Sequence, residues 1–75
     1  MNSFITITNI EWDYDGDETV VERSLVILNV DYIIAISAVN HDFENGFGIK
    51  TTITTTNKTY LVAETQEELV EKIYA

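Results

Sequence analysis

The sequence predicts an α+β domain: a five-stranded antiparallel meander followed by one C-terminal helix. Three features carry that expectation. Runs rich in Ile, Val and Thr alternate apolar and polar residues and are separated by turn residues. The connections between runs are short, which favours pairing in sequence order. Thr65-x-x-Glu68 opens the one segment with helical periodicity. All 75 residues are assigned to a single domain.

The first strand is expected over residues 3–12. Its parity changes along the way: Ile5 and Ile7 share one face, whereas Ile10, Trp12 and Tyr14 fall on the other. Either a bulge near Thr8–Asn9 corrects the parity, or the strand is covered on both sides over part of its length. Asp13-Tyr14-Asp15-Gly16-Asp17-Glu18 is a hairpin turn built around Asp-Gly. The second strand, residues 19–28, becomes apolar throughout from Leu25 to Leu28, the signature of a central strand buried on both faces. Asn29-Val30-Asp31 breaks the run with turn residues. The third strand, residues 32–39, is again apolar on both faces, and residues 40–48 form a loop.

The fourth strand, residues 49–56, points Ile49 and Ile53 one way and Lys50, Thr52 and Thr54 the other. Asn57–Lys58 turns the chain into a fifth strand over 59–63. The helix, residues 66–74, carries Leu69, Val70, Ile73 and Tyr74 as its apolar stripe and is too short to stand alone, so it docks on the sheet. The helix covers one sheet face. The apolar reverse of strands two and three requires a second cover, supplied by curling into a small barrel or by another subunit.

Composition narrows the function classes. Thirteen Asp and Glu against four Lys and Arg give a formal charge of −9. Nucleic-acid binding needs a basic patch, and Arg23, Lys50, Lys58 and Lys72 are too scattered to make one. Anionic membrane surfaces are disfavoured for the same reason. Residues 1–9 lack the basic start and apolar run of a secretory leader, and the longest apolar stretch, 30–39, is interrupted by Asp31 and Ser37. A cytoplasmic protein is expected. With no cysteine there is neither a disulfide nor a thiolate metal site. A chain of this length buries only roughly 60–65% of its unfolded surface, so self-association is the expected supplement to its core.

No motif carries catalysis. Asp13-x-Asp15-x-Asp17 has the first three ligand positions of a calcium loop. Its glycine comes at the fourth position instead of the sixth, and Ser24 stands where the bidentate glutamate belongs. His41 is the single histidine, in the predicted loop, with no His or Cys at ligand spacing. Ser3, Ser24 and Ser37 lie in strands without an elbow motif, and Gly46-x-Gly48 lacks the strand-to-helix setting of a phosphate loop. No cofactor or metal is expected, and no enzyme. Trp12, Tyr14, Phe43 and Phe47, in or beside the two loops, are expected to pack into the small core; if exposed, they form with Asp15 and Asp17 the candidate contact surface for a partner.

From Val26 onward the chain resembles the FlbD-like small flagellar proteins of bacteria. The resemblance rests on Leu28-Asn29-Val30-Asp31-Tyr32-Ile33, on the threonine-rich strand with its turn and Tyr60-Leu61-Val62, and on the acidic helix from Glu64 to Ile73. It implies a non-enzymatic accessory role and carries over no catalytic residue. The expected function is thus a small non-catalytic interaction module that self-associates and contacts another protein through an edge strand or the aromatic-bearing loops. The alternative is an acidic decoy that imitates nucleic acid and fills a basic groove. Carboxylates lined up on one face favour the decoy; carboxylates spread over turns and helix favour the module.

Overall fold

A computed structural model describes residues 2–15, 18–42 and 48–75, with side chains described for 2–11, 22–41 and 48–75. Five strands run in chain order: β1 (Phe4–Asp15), β2 (Glu18–Asn29), β3 (Ile33–Asp42), β4 (Gly48–Thr55) and β5 (Thr59–Val62). The helix α1 (Gln66–Tyr74) follows. The strands form one antiparallel sheet in the order β2-β1-β5-β4-β3. It combines a β1–β2 hairpin with a β3–β4–β5 meander, joined where Asn9 of β1 meets Val62 of β5.

That order corrects one expectation. β2 and β3 are the two edges of the sheet, not central strands. Their apolar residues are consequently in water: Leu25 is 75% exposed, Ile27 73% and Ile34 67%. β1 and β5 take the centre because the chain around Glu64 grips β1. The Glu64 carboxylate accepts the Thr8 N–H and the Thr8 hydroxyl, each at 2.6 Å. The Glu64 carbonyl accepts the Thr51 hydroxyl at 2.7 Å.

The sheet is strongly curled. Only the short 3-10 turn Val30–Tyr32 connects β2 to β3. Five flat strands about 4.8 Å apart would separate the edges by ~19 Å. The four Cα steps from Asn29 to Ile33 reach about 14 Å at most. The hairpin therefore folds across the meander, and the turn ties the two together: Val30 N–H bonds Ser3 C=O, and Thr56 N–H bonds Tyr32 C=O. The Asn29 side chain caps the turn by accepting the Asp31 amide. No ladder joins β2 to β3 among the described residues, so the sheet curls without closing.

Curling puts the core inside. Ile5, Ile7 and Leu28 of the hairpin face Ile53 and Val62 of the meander, with Leu69 and Ile73 of α1 completing the cluster. β4 alternates as its sequence requires, but its inner face includes Thr51 and Thr55 as well as Ile49 and Ile53. Threonine is tolerated there because its hydroxyl is satisfied. Thr51 bonds Glu64, while Thr55 Oγ1 donates to Lys58 C=O and accepts the amides of Asn57 and Lys58, which builds the β4–β5 turn.

The parity change in β1 has a different origin from a bulge. The β1–β2 register is continuous from Phe4–Asn29 to Asp15–Glu18. Ile5, Ile7 and Asn9 are buried on the core face, and Ile10 is buried on the reverse. The strand is thus covered on both sides at this point. Bulges occur instead in β3, between Ile33 and Ala35 and between Ala38 and His41. β3 also runs on to Asp42, so His41 lies in a strand opposite Ile49, not in a loop.

The helix begins with the expected capping box: Glu68 N–H donates to Thr65 Oγ1, and Thr65 N–H donates to Glu68 Oε1. At its other end Asn2 satisfies two terminal carbonyls, those of Ile73 and Lys72, both at 2.7 Å. The apolar stripe is split. Leu69 and Ile73 are buried, while Val70 and Tyr74 face outward because α1 lies over the curled sheet along one narrow seam. Thr65→Ala is expected to cost about 1 kcal/mol through the lost cap. A urea titration followed by circular dichroism reads that as a lower midpoint with an unchanged slope.

Candidate functional site

The chemistry of an edge strand depends on which way its amides point. Four bonds settle this for β2. Thr8 turns both backbone groups toward the meander side: its N–H goes to Glu64, and its C=O accepts Ala63 N–H at 3.0 Å. The Thr6 C=O accepts Lys72 Nζ at 2.7 Å. Val30 N–H, by contrast, points at β1. Hydrogen-bonded and non-bonded pairs alternate along an antiparallel ladder. Thr8–Leu25 and Thr6–Ile27 are therefore non-bonded pairs, and the N–H and C=O groups of Leu25 and Ile27 point out along the open edge. By the same alternation Arg23 does so too.

The side chains of this edge are equally open. Leu25 and Ile27 stand on the face opposite the core, with Phe4 of β1, 60% exposed, on the same face. Arg23 lies at one end of the stretch and the exposed Asp31 just beyond the other. Natural sheets blunt their edges with bulges, charges or covers. β3 is blunted in that way. It has two bulges, and the Gln66 side chain donates to its Ile36 C=O at 3.2 Å. β2 has no bulge, its register with β1 being unbroken over all twelve pairs, and among the described residues nothing covers Leu25 and Ile27.

The outer face of α1 is the second exposed apolar feature. Val70 and Tyr74, with Gln66, Glu67 and Glu71 beside them, line an open groove of about 470 Å³. Among the described residues its walls come from α1 and Ala75, and no convergent set of donors or acceptors is aimed into it.

The partner-contact residues expected from sequence divide as follows. Trp12, Tyr14 and Asp15 lie in the distal half of β1, paired with Val21, Thr19 and Glu18. Their side chains lie outside the described residues, as do Asp17, Phe43 and Phe47 entirely. Sequence reasoning passed over Phe4, Leu25 and Ile27. The signal for Leu25 and Ile27 is the unbroken apolar run Leu25–Leu28, which equally fits a buried strand.

No family model, curated protein or solved structure matches this chain. Function is therefore argued from its own residues. Among the described residues no three His, Asp or Glu side chains gather as a metal site, and no helix is long and apolar enough to cross a membrane. Every buried polar side-chain atom described has a hydrogen-bond partner. Asn9, Thr51 and Thr55, the buried polar side chains, each have such a partner. Glu64, the most heavily engaged carboxylate, holds β1 to the meander.

Proposed function

We propose that the protein is a non-catalytic interaction module that self-associates and binds through the open edge of β2. The observation that carries this reading is the contrast between the two edges: β3 is bulged and capped, whereas β2 leaves outward amides beside Leu25 and Ile27. Strand addition uses such an edge, with main-chain bonds giving affinity and alternate side chains giving selectivity. The resemblance to FlbD-like proteins points to the same non-enzymatic class.

The seven acids whose side chains are described fit the module better than a nucleic-acid decoy. Among described side chains, Glu11 and Glu22 face each other on the hairpin, and Asp31 sits on the 3-10 turn. Glu64 is committed to Thr8, and Glu67, Glu68 and Glu71 lie on the helix. That is a dispersed set, without a row on one face.

Light scattering tests the reading. The unmodified chain is expected to weigh as a dimer or larger, and Leu25→Lys/Ile27→Lys as a monomer that still melts cooperatively, its melting temperature lowered only by the lost dimer linkage, since both side chains are exposed in the single chain. A monomer mass for the unmodified chain at every concentration removes the self-association reading.

A further inference from the structure

We infer that the occupant of the β2 edge is a second copy of β2, paired antiparallel about a two-fold axis at Val26. This inference rests on the proposed use of that edge and adds the partner and the register. Edge-to-edge pairing of identical antiparallel strands requires a two-fold normal to the sheet, which keeps the same faces together. The register is then fixed by the residue on the axis.

The side chains select Val26. Centring there sets Leu25 opposite Ile27 of the second copy, and Ile27 opposite its Leu25, so four branched side chains form one row. Ser24 meets Leu28. Arg23 meets Asn29, the last residue of β2, beside the 3-10 turn that carries Asp31 of the second copy. The cation at one end of each edge is thus brought toward the acid at the other end, twice by symmetry. Neighbouring registers lose the Leu25–Ile27 cross pairs; centring on Ile27 brings Arg23 nearer the turn that carries Asp31 but sets Leu25 against Asn29. Centring on Leu25 sets Arg23 against Ile27 and Glu22 against Leu28; centring on Ser24 sets Glu22 against Val26 and Arg23 against Leu25. Both bury charge against apolar side chains.

The hydrogen-bond phase agrees. Arg23, Leu25 and Ile27 are the residues whose amides point outward, and in this register they pair with Asn29, Ile27 and Leu25 of the second copy, each an outward-pointing position. Val26 then forms a non-bonded pair with itself, the closer of the two pair types. The charge pattern also suits a copy of this chain. In a protein of net charge −9, the stretch from Arg23 to Asn29 contains no acid.

The chain has no cysteine, so a single introduced thiol reports its own neighbours. Val26→Cys is expected to form a disulfide-linked dimer on mild oxidation at least about ten times faster than Ser24→Cys. Ser24 and its equivalent stand roughly 13 Å apart in this register, beyond disulfide reach. Because Val26 also packs on the core, a second test uses exposed positions: an equal mixture of Leu25→Cys and Ile27→Cys is expected to yield the mixed dimer well beyond the twofold excess over either homodimer that random pairing gives. If light scattering gives a dimer but Ser24→Cys cross-links as fast, or the mixture shows no preference, the register is overturned and the module reading stands. If the unmodified chain is a monomer, both fall.

Discussion

Leu69→Asp is expected to leave the chain unfolded at 25 °C, with no cooperative transition on heating. Leu69 has no exposed surface and sits where α1 meets the cluster of Ile5, Ile7, Ile53 and Val62. Removing its side chain alone costs about 2–5 kcal/mol. Placing a carboxylate there adds the penalty of an unpaired buried charge, since none of the described cations approaches the cluster: Lys72 donates to Thr6 at the rim, and Lys58 lies over the Tyr60 ring. The total stability of a 75-residue chain is roughly 4–11 kcal/mol, so the combined cost exceeds most of that range. Circular dichroism against temperature measures this. A melting curve superimposable on that of the unmodified chain would mean that α1 does not dock on the sheet.

Glu64→Ala is expected to cost about 3 kcal/mol, far more than an acid near a surface helix normally does. The carboxylate receives two short bonds from Thr8, one from a backbone amide. Hydrogen bonds to a charged acceptor contribute about 1.5–3 kcal/mol each, and truncation leaves the Thr8 amide without its acceptor. Glu64→Gln keeps one acceptor oxygen and is expected to lose about half as much. Glu71→Ala, on the exposed helix face, provides the control and should stay within about 0.5 kcal/mol. Urea midpoints for the three variants rank them. Equal midpoints for Glu64→Ala and Glu71→Ala would show that the grip on β1 is dispensable.

The local features of this fold were legible from sequence, and the long-range ones were not. Thr65 and Glu68 announced the helix start because a capping box is a contact three residues long. Asn29 and Asp31 announced the 3-10 turn for a similar reason. Strand order is different. The apolar run Leu25–Leu28 fits a buried central strand and an exposed edge equally well, because periodicity reports how many faces are apolar and not what covers them. What placed β1 and β5 at the centre was a carboxylate that caps an amide 56 positions away, and no sequence window registers such a contact. Glu64 read simply as one more acid before an acidic helix. The candidate site was missed by the same route: once β2 was assigned to the interior, Leu25 and Ile27 were counted as core. The aromatic and acidic residues near the loops drew attention instead, since loop position and side-chain type are visible in sequence.

The seam between hairpin and meander also sets the order in which the molecule assembles. β1 with β2, and β3 with β4 and β5, are each made from neighbours in the chain, so either unit forms by closing short loops. The side-chain bonds that join the N-terminal end of the hairpin to the chain beyond β5 are distant: Thr8 to Glu64 spans 56 positions, Lys72 to Thr6 spans 66 and Asn2 to Lys72 spans 70. Such closures are entropically the last to be rewarded, and topologies that depend on them fold slowly for their size. The seam is therefore the final step of folding and the first place at which the native state opens. When it parts, Ile5, Ile7 and Leu28 lose their cover while the hairpin stays paired, and a pre-formed ribbon with both faces apolar is left facing the solvent.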